Sequence, residues 1–260
     1  MNTFVFDIET IPDCDAIRKI HHFSDDIPNA EIVSTAQAMQ KEKTGSEFLP
    51  HFLQKVITIS VVFRQKDKLR VWSLGDKGAD ETDILTRFFH GVEKYTPTLV
   101  SWNGSGFDLP VLHYRALVCN IDAPRYWEVG QGDPNFRWNN YLSRYHYRHM
   151  DLMDILAGYT SRANAPLDSL ALMLGFPGKM GVSGSQVWTL YQENQIKKIR
   201  DYCETDVLNT YLVYLRFEKM RGILSHEQYE QECQFLKDYL SQEKKSHFDE
   251  FLTAWNNNKP

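Results

Sequence analysis

The sequence predicts an α/β fold, in which a mixed sheet of five to six strands is flanked by helices and the C-terminal half is helical. Short apolar runs with strand character lie in the first 102 residues, where amphipathic helical patterns alternate with them. Further along the chain, helical spacing dominates. A length of 260 residues is enough to bury a full core, so we expect one domain over 1–245 and a C-terminal tail over 246–260.

The N-terminal half supplies most of the predicted strands. They are expected at four apolar runs, residues 3–8, 56–63, 69–74 and 98–102. The second and third runs are separated only by RQKDK, which predicts a hairpin. Between the first two runs lies a long polar connection over 13–50, with a helix expected over 30–43.

Helical patterns fill the rest of the chain. They are expected over residues 84–95, 107–119, 165–176, 185–192, 194–222 and 226–242. Ser225 and Gln228 form a capping box at the start of the last helix. The stretch 121–149 is irregular, and we expect poor order from residue 253 onward.

Composition limits the classes of function. The chain is 42% hydrophobic and 24% charged, as in soluble globular proteins. It shows no membrane span and no basic N-terminal region before an apolar stretch, so we expect a cytoplasmic protein without a secretory signal. Its four cysteines form no CxxC pair, which argues against a zinc knuckle or a disulfide framework. The net charge of −5 argues weakly against nucleic-acid binding through bulk positive charge.

The first motif is FVFDIET, residues 4–10, where an apolar strand ends in two carboxylates. Asp7 and Glu9 are two residues apart, so on a strand they point to the same face. Adjacent carboxylates at a strand end repel each other and lose solvation, which a divalent cation would relieve. Taken alone, the pair could equally be solvated.

The second motif is WNGSGFDLP, residues 102–110, which follows a buried strand. Asn103 and Asp108 bracket a glycine-containing turn, and Phe107 is an apolar neighbour of the aspartate. In isolation, Asp108 fits an N-cap of the next helix better than a site residue, because capping is the commoner use of such an aspartate.

The third motif is DYCETDVLNTYLVY, residues 201–214. Tyr202 and Asp206 are four residues apart, so they lie on one helix face, next to the apolar stripe. The alternative is a border tyrosine and an aspartate paired with Lys198 or Arg200, which is the usual arrangement on an amphipathic helix.

The three motifs are more informative together, because they bring four carboxylates and one phenol onto a strand end, a helix start and a helix face. Carboxylate oxygens suit Mg²⁺ or Mn²⁺ rather than zinc. Two such ions form a known arrangement for phosphodiester cleavage. Tyr202 would then orient the attacking water near Asp206.

The ordered motifs Asp7-x-Glu9, Asn103-x3-Phe107-Asp108 and Tyr202-x3-Asp206 resemble motifs I, II and III of the DEDD 3′–5′ exonucleases, which have an RNase H-like fold. The tyrosine resembles that of the DEDDy branch. Over about residues 3–242, the chain resembles more closely the stand-alone bacterial predicted exonucleases related to the proofreading domain of family B DNA polymerases.

This resemblance implies a metal-dependent 3′–5′ exonuclease that uses two Mg²⁺ or Mn²⁺ ions and acts on nucleic acid with a free 3′ end, with single-stranded DNA preferred over RNA. It implies four metal ligands, namely Asp7, Glu9, Asp108 and Asp206, with Tyr202 positioning water. Thr10, Asn103 and Phe107 would contact the terminal nucleotides. The chain shows no polymerase domain, so we expect no proofreading of its own synthesis. An exoribonuclease and a catalytically silent nucleic-acid-binding adaptor remain alternatives.

Two further features are candidates for substrate contacts. Residues 125–149 interleave arginines with aromatic side chains, which suits either a single-strand groove or a loop anchored by its own aromatics. Lys179, in the glycine-containing loop PGKMG, is either a phosphate ligand or a mobile surface lysine.

Overall fold

The computed structural model describes residues 2–258 and shows a five-stranded mixed sheet with helices on both faces. The strand order is β3-β2-β1-β4-β5, with β1 at the centre. The pairs β1–β2 and β2–β3 are antiparallel, whereas β1–β4 and β4–β5 are parallel. The strands are β1 Asn2–Pro12, β2 Gln54–Gln65, β3 Lys68–Ser73, β4 Thr98–Ser101 and β5 His149–Asp151. The predicted mixed sheet with flanking helices is therefore confirmed.

Eleven α-helices occur within the described residues. They are α1 Cys14–His21, α2 Asn29–Thr44, α3 Glu81–Tyr95, α4 Asp108–Val118, α5 Pro124–Trp127, α6 Leu152–Leu156, α7 Leu167–Met173, α8 Val187–Gln192, α9 Ile196–Met220, α10 His226–Gln242 and α11 Ser246–Asn257. The capping box of Ser225 and Gln228 is present at the start of α10. Within residues 2–258, no helix combines the length and the apolar character that crossing a membrane requires.

Two apolar cores cover the two faces of the sheet because the side chains of β1 alternate. Phe4, Phe6 and Ile8 pack against α3 and α4 on one face. Val5 packs on the other face, against the long helix α9 and the helices α10 and α11. Residues at odd positions of β1 therefore face α9, which determines where Asp7 and Glu9 point.

The C-terminal segment is part of the packed structure, which corrects the expectation of a tail from residue 246. Helix α11 buries Phe248, Phe251 and Trp255 in the core shared with α9 and α10. Poor order from residue 253 is also a wrong expectation for 253–257, which are helical; residues 259–260 lie outside the described part. Aromatic side chains at helical spacing gain more from burial than a free tail gains in entropy.

Residues 13–53 form a small structural unit beside the sheet. Helices α1 and α2 pack on each other through a separate cluster that includes Ile17, Ile32 and Leu49. The unit is tied to the rest of the fold by Arg115 of α4, which is 3% exposed and forms ion pairs with Asp13 and Glu81. Glu81 also accepts a 2.7 Å hydrogen bond from the backbone N–H of Val56. Each of these buried polar groups therefore has hydrogen-bond partners, as a protein interior requires.

Candidate active site

Strand β1 presents Asp7 and Glu9 on the side of the sheet that α9 covers. Asp7 is half-buried and Glu9 is only 8% exposed. The pairing of β1 with β2 shifts register between Glu9 and Thr10, just after the second carboxylate. The extra residue is Ile57 of β2, and an irregularity of this kind increases the local twist of the paired strands.

Helix α9 places three polar side chains opposite this strand end. Tyr202, Cys203 and Asp206 are all buried, and the Tyr202 hydroxyl lies close enough to the Asp206 carboxylate to lower the pKa of that carboxyl group. The Cys203 thiol lies 3.5 Å from the Oδ2 atom of Asp7. Potential ligand atoms of Asp7, Glu9 and Cys203 lie within 4.8 Å of one another, and no other group of three such residues is this close within residues 2–258. Sequence reasoning missed Cys203 as a site residue, although its position three residues before Asp206, on a neighbouring part of the helix surface, was a usable signal.

Asp108 is the first residue of α4, but it does not act as the N-cap that its local sequence favoured. Phe107 occupies the N-cap position, and no side chain caps the helix there. Asp108 is instead 4% exposed, and the backbone N–H of Ile8 lies close enough to its carboxylate to lower the pKa. The side chain therefore faces the end of β1, because β4, which precedes this turn, runs parallel to β1.

The turn over residues 103–107 is held by an aspartate that sequence reasoning left unassigned. Asp151 accepts hydrogen bonds from the backbone N–H groups of Asn103 (2.9 Å) and Ser105 (2.8 Å). Asn103 has a left-handed backbone with φ of 65°. Gly104 has no room for a side chain, since a Cβ would lie 2.1 Å from the Ser101 Oγ. The position of Asp151, at the end of β5 and directly before a helix, was the signal for this role.

The four carboxylates are electrostatically unfavourable together without a counter-charge. Burial raises the pKa of Asp7 and of Glu9 well above the usual range, and neighbouring carboxylates raise both further. Burial also raises the pKa of Asp108 to about 7 and that of Asp206 to about 6. The Oδ1 atom of Asp206 is buried without a hydrogen-bond partner among residues 2–258. An orphaned buried oxygen among repelling oxygen donors fits a hard divalent cation.

These pKa shifts predict a pH dependence of stability in the absence of divalent metal. A carboxyl group whose pKa is raised by folding binds more protons in the folded state, so the free energy of unfolding falls as pH rises toward the folded pKa. His113 and His149, whose pKa values burial lowers to about 4, act in the opposite sense, but only below about pH 6.5. We therefore expect the melting temperature in EDTA to fall from about pH 6.5 to about pH 8. Mg²⁺ or Mn²⁺ should restore it; a flat EDTA profile would contradict the carboxylate cluster.

Lys179 is a basic residue close enough to interact electrostatically with Glu9 and Asp206. Its charge lowers the pKa of Glu9 and of Asp206, against the larger effect of burial. Asn209, one helical turn after Asp206 on α9, holds the loop through hydrogen bonds with the N–H (3.1 Å) and C=O (2.8 Å) of Gly178. The lysine side chain itself is exposed, so a fixed loop presents a free ammonium group to the site.

A cleft of about 650 Å³, which we name the carboxylate cleft, opens beside these groups. Its lining includes Glu9, Thr10, Phe48, Asn103, Phe107 and Trp188. The predicted substrate contacts Thr10, Asn103 and Phe107 therefore share one cavity with a carboxylate. The Thr10 hydroxyl already donates a 3.0 Å hydrogen bond to Gln54, so it can only accept one from a ligand.

The aromatic side chains of the stretch 125–149 fall into a buried group and an exposed group. Tyr126, Phe136 and Tyr141 are almost fully buried and anchor the loop. The guanidinium groups of Arg125 and Arg148 lie over the Phe136 ring, at 4.9 Å and 4.0 Å from its centroid. In contrast, other aromatic side chains of the stretch are exposed, namely Trp127, Trp138, Tyr145 and Tyr147. The anchoring interpretation therefore holds for the first group.

Comparison with known proteins agrees with the predicted fold. The family B DNA polymerase of Pyrobaculum calidifontis superposes with a TM-score of 0.50 at 17% identity, over 81% of this chain and 24% of that one. This likeness supports the RNase H-like α/β fold.

Sequence relatives are much longer proteins. The catalytic polypeptide of DNA polymerase epsilon from Aspergillus fumigatus is 27% identical over 143 residues, which are 53% of this chain and 6% of the relative. A DNA polymerase of Archaeoglobus fulgidus is 25% identical over 161 residues, 61% of this chain and 19% of the relative. The chain thus spans a small part of each.

A family model described as a predicted 3′–5′ exonuclease related to the exonuclease domain of PolB matches residues 46–255. The match includes Asn103, Asp108, Tyr202 and Asp206, whereas Asp7 and Glu9 precede it. Because the match covers most of the chain, the chain belongs to this family of predicted 3′–5′ exonucleases related to the exonuclease domain of PolB.

Proposed function

We propose that the chain is a metal-dependent 3′–5′ exonuclease that acts on single-stranded or frayed DNA ends and releases nucleoside 5′-monophosphates. The observation that carries the proposal is that Asp7, Glu9, Asp108 and Asp206 come from three elements and lie close enough for the last three to raise the pKa of Asp7. One buried oxygen of Asp206 also has no hydrogen-bond partner among the described residues. Membership of a predicted exonuclease family supports the same reaction.

The four carboxylates would hold two Mg²⁺ or Mn²⁺ ions. When bound, such ions lower the pKa of a water molecule and stabilise the leaving oxygen. In the hydrolysis, the water oxygen bonds to phosphorus and the bond from phosphorus to the 3′ oxygen breaks. The products are a nucleoside 5′-monophosphate and a strand with a new 3′ hydroxyl.

Tyr202 would act as a hydrogen-bonding group and not as a base. Burial, together with the charges of Asp206 and Glu9, raises the pKa of its phenol, so the hydroxyl keeps its proton at neutral pH. A protonated hydroxyl beside Asp206 can orient the attacking water by a hydrogen bond. Lys179, presented by its tethered loop, would contact the phosphate being cleaved.

Replacing Tyr202 by phenylalanine is expected to lower kcat about 100-fold with little change in KM, since the lost hydrogen bond acts on the reacting water. The matched control is Tyr214→Phe, because Tyr214 is a second buried tyrosine of α9 whose hydroxyl has no hydrogen-bond partner among residues 2–258. Steady-state cleavage of labelled oligonucleotides measures both. Equal kcat values for the two variants would remove Tyr202 from the mechanism.

The substrate is tested with 5′-labelled single-stranded DNA and RNA of the same sequence, with Mg²⁺, Mn²⁺ or EDTA. Because the relatives include DNA polymerases, we expect DNA to be the better substrate. The labelled DNA should then give a metal-dependent ladder of products that shortens faster than the RNA ladder. A faster RNA ladder would make the chain an exoribonuclease. If a folded protein shortened neither strand with any metal, the proposal would be wrong and a binding adaptor would replace it.

A further inference from the structure

One wall of the carboxylate cleft comes from the 13–53 segment, whose role the sequence leaves open. Phe48 and His51 of this segment line the cleft together with Glu9 and Thr10 of β1. The segment therefore borders the same cavity as one of the proposed metal ligands.

Phe48 is exposed where an apolar side chain would normally be covered. Its side chain is 58% exposed, although the neighbouring Leu49 is 3% exposed in the cluster with α1 and α2. The Phe48 ring lies edge-on to that of Phe107, with 5.6 Å between centroids, and the His51 ring lies at the same distance from Phe107. Three rings thus converge on one side of the cleft and leave an aromatic surface open.

This aromatic surface is held rigidly by hydrogen bonds to both neighbouring elements. The His51 ring is bonded to the carbonyl oxygen of Gly106 at 2.9 Å, which joins the segment to the 103–107 turn. The Gln54 amide donates to the carbonyl oxygen of Leu49 at 3.0 Å and accepts from Thr10 at 3.0 Å. Preorganised aromatic rings bind flat ligands with little loss of entropy.

We propose that Phe48, supported by Phe107 and His51, forms a stacking surface for the 3′-terminal nucleobase of a single strand. The inference rests on the proposed function, because it assigns the segment to the recognition of the strand end. Every nucleobase has a π face, so stacking of this kind is tolerant of sequence. Glu9 lines the same cleft, so a base stacked there would bring its phosphate near this carboxylate.

The test combines a protein variant with a substrate variant. Wild-type protein and Phe48→Ala are compared on single-stranded DNA that ends in a normal 3′ nucleotide or in an abasic 3′ residue. Dissociation constants are measured by fluorescence anisotropy in EDTA, which needs no catalysis, and KM and kcat are measured with Mg²⁺. Phe48→Ala should weaken binding to the normal end roughly tenfold, with a similar rise in KM. On the abasic end the two proteins should bind equally.

Two controls separate stacking from a general loss of structure. Phe52→Ala removes another exposed phenylalanine of the same segment, one whose ring lies 6.3 Å from that of Tyr114. It should bind as wild type does. Phe48→Trp keeps an aromatic face and should restore binding to the normal end.

Each other outcome has a distinct meaning. Equal binding of the normal end by wild type and Phe48→Ala would overturn the inference, as would an equal loss on normal and abasic ends. If wild type bound DNA through Phe48 in this pattern but cleaved nothing, the proposed function would fail while the stacking surface stood. If wild type neither bound nor cleaved, both would be wrong.

Discussion

Asp7→Asn is expected to lower the rate of cleavage about 1,000-fold or more while the protein stays folded. Burial raises the pKa of Asp7, and the charges of Asp108, Glu9 and Asp206 raise it further, so Asp7 interacts with all three other proposed ligands. Asparagine has almost the same shape but removes the charge that a metal ion requires. The rate is measured on labelled single-stranded DNA at saturating Mg²⁺ or Mn²⁺.

The same substitution should raise the melting temperature in EDTA, because it removes repulsion among buried carboxylates. Opposite effects on activity and stability are typical of charges kept together for function. Asp201→Asn is the matched control. Asp201 lies beside Tyr202 on α9, has a side chain that is 24% exposed, and pairs with Lys197. The Asp201→Asn variant should cleave at nearly the wild-type rate. If the Asp7→Asn variant also cleaved at the wild-type rate, the metal-site assignment would be wrong.

Arg115→Ala is expected to destabilise the protein by about 3–5 kcal/mol, the usual cost of removing one partner from a buried ion pair. The substitution would leave Asp13 and Glu81 as uncompensated buried charges. Asp13 caps α1, and the Arg115 Nε atom donates a 2.8 Å hydrogen bond to Glu81. The free energy of unfolding is measured by urea denaturation monitored by circular dichroism.

Arg87→Ala is the control for this effect. Arg87 lies on α3 and pairs with Asp83 in an exposed contact at 2.8 Å, with side chains 54% and 41% exposed. Exposed pairs of this kind contribute at most about 1 kcal/mol, so the variant should be nearly as stable as wild type. Similar unfolding energies for the two variants would mean that Arg115 does not hold the 13–53 segment to the fold.

Sequence patterns were sufficient for the local geometry of the candidate site. Alternation on β1 predicted that Asp7 and Glu9 share a face, and helical spacing predicted the same for Tyr202 and Asp206 on α9. Both follow from periodicities that depend only on the backbone. The resemblance to the exonuclease motifs then related the strand end, the helix start and the helix face to one candidate site.

Local sequence was misleading where a residue has two uses of similar free energy. An aspartate at a helix start fits an N-cap, but Asp108 lies near the end of β1, because β4, which precedes it, pairs in parallel with β1. Similarly, the suggested partner Arg200 does not pair with Asp206. It donates instead to backbone carbonyl groups near the end of β3, including that of Gly75 at 2.7 Å.

By itself, the sequence determined the α/β class, the strand and helix periods, and the shared faces of Asp7 with Glu9 and of Tyr202 with Asp206, because these depend on backbone periodicity within a few residues. Only the tertiary structure decided that Cys203 lies against Asp7, that Asp151 holds the 103–107 turn, and that Phe48 lines the carboxylate cleft. The first of these contacts joins residues 196 positions apart, and the bond from Asn103 to Asp151 spans 48. Such contacts depend on how the sheet and helices pack, which local patterns do not encode.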